Sequence, residues 1–183
     1  MIQQLYKNYD IIYRYDRNKI LPQVIKVGIL PFFIENGVTK FKLMKPVSED
    51  KRLGEPRFQI AKGTRRINIS GKWCDMRDDD LVYADESFHE PLIDTALREG
   101  MEEIGLKSSN IKQLFDMGDF TFVSASRGVR KPLHMFAAEM IDSIDFDEFE
   151  KTTAATAWVT LEEFSAIGRE DHISIVREIL AKL

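Results

Sequence analysis

Hydrophobic residues in the first half of the chain are grouped in short runs that predict β-strands. Residues 24–34 and 38–44 are rich in β-branched and aromatic side chains, and Asn36-Gly37 between them is a strong hairpin signal. The pattern therefore predicts an antiparallel hairpin. A shorter run, residues 57–64, predicts a strand that leads into a Lys62-Gly63 turn.

The second half of the chain adds three strands and two helices. Residues 111–124 and 132–140 predict long strands, and a short strand is expected at 157–159. Residues 161–167 and 173–183 predict helices, the second with apolar side chains at helical spacing. Strands with one helix between them and further helices at the end predict an α/β domain of three layers.

The helix between the strands has an acidic face and an apolar face. Pro91 suits its first turn, and Gly105 stands where a C-capping glycine is expected. At about 100° per residue, three carboxylates fall within one arc, those of Glu99, Glu102 and Glu103. The opposite arc carries Ile93, Leu97, Gly100, Met101 and Ile104.

An acidic helix face by itself usually marks a solvated surface. Here three like charges share one patch, and a like-charge pair at i, i+4 costs about 0.2–0.5 kcal/mol. Arg98 can offset only part of this charge. A bound Mg²⁺ or Mn²⁺ would neutralise the remainder, because carboxylate oxygens are the ligands that these cations prefer. The face is therefore a candidate metal site.

The same residues resemble the Nudix box, a family pattern written G-x5-E-x7-R-E-U-x-E-E-x-G-U with U a bulky aliphatic residue. The matching positions are Glu90, Arg98, Glu99, Glu102, Glu103, Gly105 and Leu106. Two positions depart from the pattern. Ala84 stands where the first glycine is expected, and Gly100 occupies the first U position.

The segment upstream of the box offers a replacement for the missing glycine. In many Nudix proteins a strand ends in Pro-Lys-Gly and leads directly into the box, and Ala61-Lys62-Gly63 is similar. If Gly63 is the box glycine, the polar, turn-rich residues 64–89 are an insertion at the surface. Gly100 is a separate irregularity: either it admits a close neighbour or it occupies a tolerant position.

The resemblance implies a Nudix-type three-layer α/β/α sandwich with a mixed β-sheet over residues 24–183. Residues 1–23 would precede it as an arm, in which 11–15 is a candidate extra strand or homodimer contact. The implied activity is divalent-metal-dependent hydrolysis of a phosphoanhydride bond in a nucleoside diphosphate linked to another group. Nucleoside polyphosphates, dinucleoside polyphosphates and nucleotide sugars all remain open as substrates.

The resemblance also assigns roles to individual residues. Mg²⁺ or Mn²⁺ would be held by Glu99, Glu102, Glu103 and the Gly63 carbonyl. Glu99 is the candidate general base within the box, while Arg98 would orient the glutamates and Glu90 would support them. In some family members the base comes from a later loop, so an acidic residue between Asp142 and Glu150 is the alternative.

Phosphate groups of a substrate require cations, and Lys62, Arg65 and Arg66 lie beside the proposed active strand. A second basic group consists of Arg127, Arg130 and Lys131. It could also bind phosphate, but a charged hairpin turn is the simpler interpretation, because exposed turns are usually polar. Trp73 is a candidate for stacking on a base. Four phenylalanines lie in strand patterns and are expected in the core: Phe32, Phe33, Phe120 and Phe122.

Composition narrows the class of protein. A chain of 183 residues with 44% hydrophobic and 31% charged residues fits one globular domain, and a net charge of −4 gives no electrostatic footprint for a nucleic-acid polymer or a membrane. Cys74 is the single cysteine, which excludes an internal disulfide, and the histidines show no metal-binding spacing. Without a membrane span or signal peptide, a cytoplasmic location is expected.

Two other functions compete with a hydrolase. A catalytically silent Nudix fold could act as a nucleotide-binding or regulatory module, although binding alone does not require three metal ligands. An isomerase of prenyl diphosphates on the same fold needs an active-site cysteine, and Cys74 in a polar segment is a poor candidate for that role.

Overall fold

The computed structural model describes residues 11–13, 25–47, 55–77, 86–123, 128–143 and 149–183. Ala84, Arg127 and parts of the segments considered above lie outside these ranges, including Tyr15, Asp78, Asp79, Asp80, Asp145, Asp147 and Glu148. The described strands are β1 (Ile11–Tyr13), β2 (Lys26–Glu35), β3 (Val38–Pro46), β4 (Ala61–Thr64), β5 (Arg66–Ile69), β6 (Lys72–Asp75), β7 (Ile111–Val123), β8 (Arg130–Met140) and β9 (Thr153–Val159). The described α-helices are α1 (Leu92–Ile104), α2 (Leu161–Ile167) and α3 (Glu170–Lys182).

The main sheet is mixed and follows the order β1-β7-β8-β2-β3-β9. The β1/β7 and β2/β8 pairs are parallel, and the other pairs of this sheet are antiparallel. Along one edge of β2, residues 26–29 pair with β4 and residues 32–35 pair with β3. Strands β5 and β6 form a separate two-stranded hairpin.

Side chains alternate between the two faces along each strand of the main sheet. Both faces carry apolar side chains, and helices cover both. On β2, Val27 and Ile29 belong to an apolar cluster with α1. Leu30 and Phe32 belong to a second cluster, which includes side chains of α2 and α3. The three-layer α/β/α arrangement with a mixed sheet, expected from the sequence, is confirmed.

Local signals in the sequence are confirmed where they specify backbone conformation. Asn36 and Gly37 both have positive φ, at 51° and 79°, as a tight hairpin turn requires. Gly105 caps α1 in the left-handed conformation with φ of 68°. Helix α2 has the expected bounds, whereas α3 begins three residues before the expected position.

The expected turn at Lys62-Gly63 is wrong. Both residues lie inside β4, where Lys62 pairs with Gly28 and Gly63 pairs with Val27. A Lys-Gly pair is compatible with a turn, but the neighbouring strand offers backbone hydrogen bonds that keep this segment extended. Glycine is required at position 63 for a different reason: the Glu99 carboxylate packs over it.

Gly100 admits close neighbours. A Cβ atom added at this position would lie 2.8 Å from Leu106 Cδ2 and 2.9 Å from Ile29 Cγ2. Both distances are shorter than van der Waals contact, and the Ile29 methyl lies on a stiff, β-branched side chain. Gly100 therefore allows α1 to lie directly on β2.

We expect Gly100→Ala to destabilise the protein by about 1–2 kcal/mol. Overpacking against Ile29 and Leu106 should exceed the gain in helix propensity that alanine provides. The midpoint of urea unfolding, followed by circular dichroism, measures this change. Met101→Ala is the matched control, because Met101 is exposed on the same helix. A variant at position 100 that is more stable than the parent protein would contradict this interpretation.

Candidate active site

The acidic face of α1 lies against strand β4. A Cβ atom added at Gly63 would fall 1.8 Å from the carboxyl carbon of Glu99 and 2.0 Å from each carboxylate oxygen. The Glu99 carboxylate thus occupies the space that a side chain at position 63 would fill. Only glycine at position 63 is compatible with this placement of Glu99.

Arg98 connects the carboxylates around it and is itself buried. Its Nε donates to Glu90 Oε1 at 2.9 Å and its Nη2 donates to Glu90 Oε2 at 3.0 Å. Its Nη1 donates to Glu99 Oε1 at 2.6 Å and to Glu102 Oε2 at 3.0 Å. Nη2 also donates to the Thr64 carbonyl at 2.9 Å, which ties the helix to β4. One guanidinium therefore orients three glutamates.

Glu90 precedes α1 and holds the start of the helix in place. Its Oε2 accepts hydrogen bonds from the Thr95 hydroxyl at 3.0 Å and from the Arg66 backbone N–H at 3.1 Å. Burial opposes the charged form, but the hydrogen bonds and charge of Arg98 prevail and hold the pKa of Glu90 below its ordinary value. Glu90 is therefore a buried, ionised partner of Arg98.

The two carboxylates nearest β4 resist ionisation. Burial raises the pKa of Glu99, although Arg98 acts in the opposite direction. Burial also raises the pKa of Glu103 to about 7, against the charge and the backbone hydrogen bond of Lys62. That hydrogen bond runs from the Lys62 N–H to Glu103 Oε2 at 2.8 Å. Burial thus opposes the charged form of both groups, and a cation at this position would favour it.

The residues expected to contact phosphate occupy different environments. Lys62 is partly buried, and burial lowers its pKa to about 8 despite the charge of Glu103. Arg66 is half-buried, with its Nη2 3.8 Å from Glu102 Oε1. Arg65 is buried, and its Nε donates to the Glu90 carbonyl at 2.6 Å.

Lys26 is a site residue that the sequence pattern does not reveal. Its ammonium group donates a hydrogen bond to the Thr64 hydroxyl across the β2/β4 pair. Burial lowers the pKa of Lys26, while the charge of Glu99 acts in the opposite direction. Lysine at the start of a strand is common, and only the pairing of β2 with β4 brings it to the carboxylates.

The end of the acidic segment also reaches α1. The Glu150 N–H donates to the Glu102 carbonyl at 2.7 Å, and the Thr153 hydroxyl donates to the Glu103 carbonyl at 2.8 Å. The end of the segment that carries the alternative general base is therefore held against the acidic helix, and residues 144–148 lie outside the described ranges.

The chemistry of these donors fits a hard divalent cation. Glu99 and Glu103 offer carboxylate oxygens beside β4, and Glu102 adds a third on the adjoining, partly exposed surface. Within the described residues, no three Asp, Glu, His or Cys side chains are arranged so that they could hold one metal ion without moving. Glu99 and Glu102 are paired with Arg98 instead. The donors are thus close to one another but would need side-chain rotation to share a cation.

A buried histidine forms a second charged cluster, on β7 and β8. His134 Nδ1 lies 2.7 Å from Asp119 Oδ1, and its Nε2 lies 2.9 Å from Asp116 Oδ1. Burial opposes the imidazolium, but these two aspartates prevail and raise the pKa of His134 to about 9. His134 is therefore protonated at neutral pH and bridges the two strands.

This pKa predicts a pH-dependent contribution to stability. The pKa in the folded protein lies above the ordinary value of 6.5, so the contribution is fully present below pH 6.5 and is lost as the pH rises through about 9. We expect His134→Gln to destabilise the protein at pH 6, and the difference from the parent should shrink by about 3 kcal/mol at high pH. Urea unfolding of both proteins from pH 6 to pH 10 measures this difference. A difference that does not change with pH would contradict the prediction.

Comparison with known proteins identifies the fold. No protein-family model matches the chain, and no curated protein matches it by sequence. The structure is similar to the Nudix domain of Shewanella oneidensis NrtR in complex with ADP ribose, with a TM-score of 0.58 and 13% identity over 92% of this chain and 93% of that chain. It is similar to the Caenorhabditis elegans Ap4A hydrolase in a binary complex, with a TM-score of 0.58 and 15% identity over 87% and 96% of the two chains.

A Nudix hydrolase from Nitrosomonas europaea gives a TM-score of 0.52 with 16% identity, over 87% of this chain and 90% of that chain. The chain therefore has the Nudix fold, and the resemblance drawn from the sequence is confirmed at the level of the fold. None of the described helices is long and apolar enough to cross a membrane.

Proposed function

We propose that this protein is a divalent-metal-dependent pyrophosphohydrolase of the Nudix type, with residues 24–183 as its hydrolase domain. The observation that carries the proposal is the position of Arg98, which hydrogen-bonds Glu90, Glu99 and Glu102 while Glu99 packs over Gly63. These residues match the Nudix box in sequence and lie together in space. A solvated helix face would not require a buried arginine beneath it.

The proposed roles follow from the contacts. Glu99, Glu102, Glu103 and the Gly63 carbonyl would hold Mg²⁺ or Mn²⁺. When bound, this cation supplies charge neutralisation for phosphate and lowers the pKa of a water molecule. Arg98 and Glu90 would keep the glutamates oriented. Glu99 is the proposed general base, and an acidic residue between Asp142 and Glu150 is the alternative, supported by the Glu150–Glu102 backbone contact.

The substrate would be a nucleoside diphosphate linked to another group. Arg66 is proposed to contact its phosphates, because this half-buried guanidinium borders Glu102. Lys62 is proposed as a second contact. Arg65 is better suited to positioning, since its Nε is already bonded to the Glu90 carbonyl. The similarity to structures of an Ap4A hydrolase and of an ADP-ribose complex supports this class of substrate.

A substrate screen tests the proposal. Purified protein would be incubated with ADP-ribose, diadenosine tetraphosphate, nucleoside triphosphates and nucleotide sugars in Mg²⁺, Mn²⁺ or EDTA, and the products would be identified by mass. We expect cleavage of a phosphoanhydride bond in at least one compound, with the activity lost in EDTA. Hydrolysis that persists in EDTA, or no hydrolysis of any compound, would contradict the proposal.

A second candidate is a regulatory module that binds a nucleotide without cleaving it. The similarity to the NrtR Nudix domain, solved with ADP ribose, supports nucleotide binding, which this function shares with the hydrolase. The pairing of Glu99 and Glu102 with Arg98 also fits a site without a metal. Tight binding of ADP-ribose with no product in Mg²⁺ or Mn²⁺ would select this function over the hydrolase.

A further inference from the structure

A pocket of about 650 Å³ lies between the β5/β6 hairpin and the start of α1. Its volume falls in the range of small-molecule binding sites. The residues that line it include Arg66, Asn68, Trp73, Phe88, Glu90 and Asp94. The roles proposed above use Arg66 and Glu90, but leave the aromatic part of this pocket without a function.

One face of the hairpin is directed at the pocket. In the antiparallel register, Asn68 pairs with Trp73 and Arg66 pairs with Asp75, so these side chains share one face. Ile67 and Cys74 pair on the opposite face, where Ile67 is buried. The hairpin therefore presents an indole, an amide and a guanidinium together on the pocket side.

Two large aromatic side chains in this pocket are exposed. Trp73 is 52% exposed and Phe88 is 53% exposed, the first on β6 and the second in the short helical turn Glu86–Phe88. Exposed aromatic surface next to polar groups is typical of a binding site. Planar rings of this kind stack well on a nucleobase, since every base has a flat π-face.

Arg66 joins this pocket to the carboxylates. Its side chain lines the pocket, and its Nη2 lies 3.8 Å from Glu102 Oε1. Glu90 also lines the pocket and accepts hydrogen bonds from Arg98. A ligand with its ring on one of these aromatic side chains would therefore place its phosphates near Arg66, beside the acidic face of α1.

We propose that this pocket binds the base of a nucleotide, with Trp73 as the stacking residue and Arg66 as the contact for the adjoining phosphate. The proposal deepens the proposed function, on which it rests for the class of ligand. It assigns to the β5/β6 hairpin the task of base recognition, separate from the carboxylates that would carry out cleavage.

Binding of AMP and of ribose 5-phosphate tests the proposal by isothermal titration calorimetry. AMP contains no phosphoanhydride bond, so it reports binding without turnover, and ribose 5-phosphate differs from it by lacking the base. We expect AMP to bind at least about tenfold more tightly than ribose 5-phosphate, as one base–aromatic stack provides. Trp73→Ala should remove this difference, and Trp73→Phe should retain most of it.

Cys74→Ala is the matched control, because Cys74 lies on the opposite face of the same hairpin. It should bind both compounds like the parent protein. Unchanged AMP affinity in Trp73→Ala would overturn the proposal, as would equal affinity of the parent protein for the two compounds. A change of oligomeric state in Trp73→Ala on size-exclusion chromatography, with AMP binding retained, would assign the hairpin to a subunit contact and also overturn it.

These results are independent of hydrolysis. If the substrate screen finds no cleavage but AMP binding depends on Trp73, the pocket stands and the hydrolase proposal fails. If cleavage occurs, the Michaelis constant of the parent and of Trp73→Ala can be compared. A rise of about tenfold in KM at unchanged kcat supports the pocket. Equal KM values would overturn the pocket and leave the hydrolase in place.

Discussion

Glu103→Gln should abolish most of the hydrolytic activity while the protein remains folded. Glutamine retains an oxygen that can accept the Lys62 N–H, so the contact between α1 and β4 is preserved. It removes the negative charge that a divalent cation needs. A cation supplies several kcal/mol of transition-state stabilisation, and each 1.36 kcal/mol corresponds to a factor of ten in rate. We therefore expect kcat to fall at least about 100-fold.

The measurement is the rate of product release with the best substrate from the screen, at saturating Mg²⁺. Glu162→Gln is the matched control, because Glu162 is exposed on α2 and distant in sequence from the box. It should retain the parent rate. Circular dichroism and urea unfolding establish that Glu103→Gln is folded. Full Mg²⁺-dependent activity in this variant would exclude Glu103 as a metal ligand.

Arg98→Met should destabilise the protein by about 3–5 kcal/mol, the usual cost of removing one partner from a buried ion pair. Glu90 and Glu99 would remain buried without the guanidinium that now offsets their charge. The Thr64 carbonyl would also lose its donor. Urea unfolding followed by circular dichroism gives the change in the free energy of unfolding.

Arg66→Met provides the comparison. Among the described residues, Arg66 makes two long ion pairs, at 3.7 Å and 3.8 Å, and its side chain is 35% exposed. Its replacement should therefore cost less than about 1 kcal/mol. If Arg98→Met does not fold, adding Glu90→Gln should restore folding in part, because one uncompensated charge is removed. Equal stability of the Arg98 and Arg66 variants would show that the buried network contributes little.

The elements that the sequence predicts well are those with local determinants. The Asn36-Gly37 turn needs two residues that tolerate positive φ, and Gly105 ends α1 for the same reason. Helix α2 starts at a capping box formed by Thr160 and Glu163, which is also a local arrangement. In each case a few neighbouring residues determine the backbone conformation.

Features that depend on strand pairing could not be predicted in this way. Lys62-Gly63 has the composition of a turn, and only the pairing with β2 makes it a strand. The same pairing brings Lys26 to Thr64. No short-range pattern contains this information, because residues 26 and 64 are far apart in the chain.

The same distinction between local pattern and tertiary packing applies to the candidate site. A spaced pattern connects Glu90, Arg98 and Glu99, and the structure brings these three residues into one hydrogen-bonded network. Their protonation depends on burial, which a sequence pattern does not report. The hydrogen bond from Arg65 to a backbone carbonyl is likewise a property of the packed protein.

The contact between Gly63 and Glu99 couples two positions that are 36 residues apart in the chain. A methyl group at position 63 and the Glu99 carboxylate would occupy the same volume. In Gly63→Ala the Glu99 side chain would therefore have to rotate away and give up its bond to Arg98 Nη1. A substitution on β4 would thus rearrange the charged network of α1 without replacing any of its members.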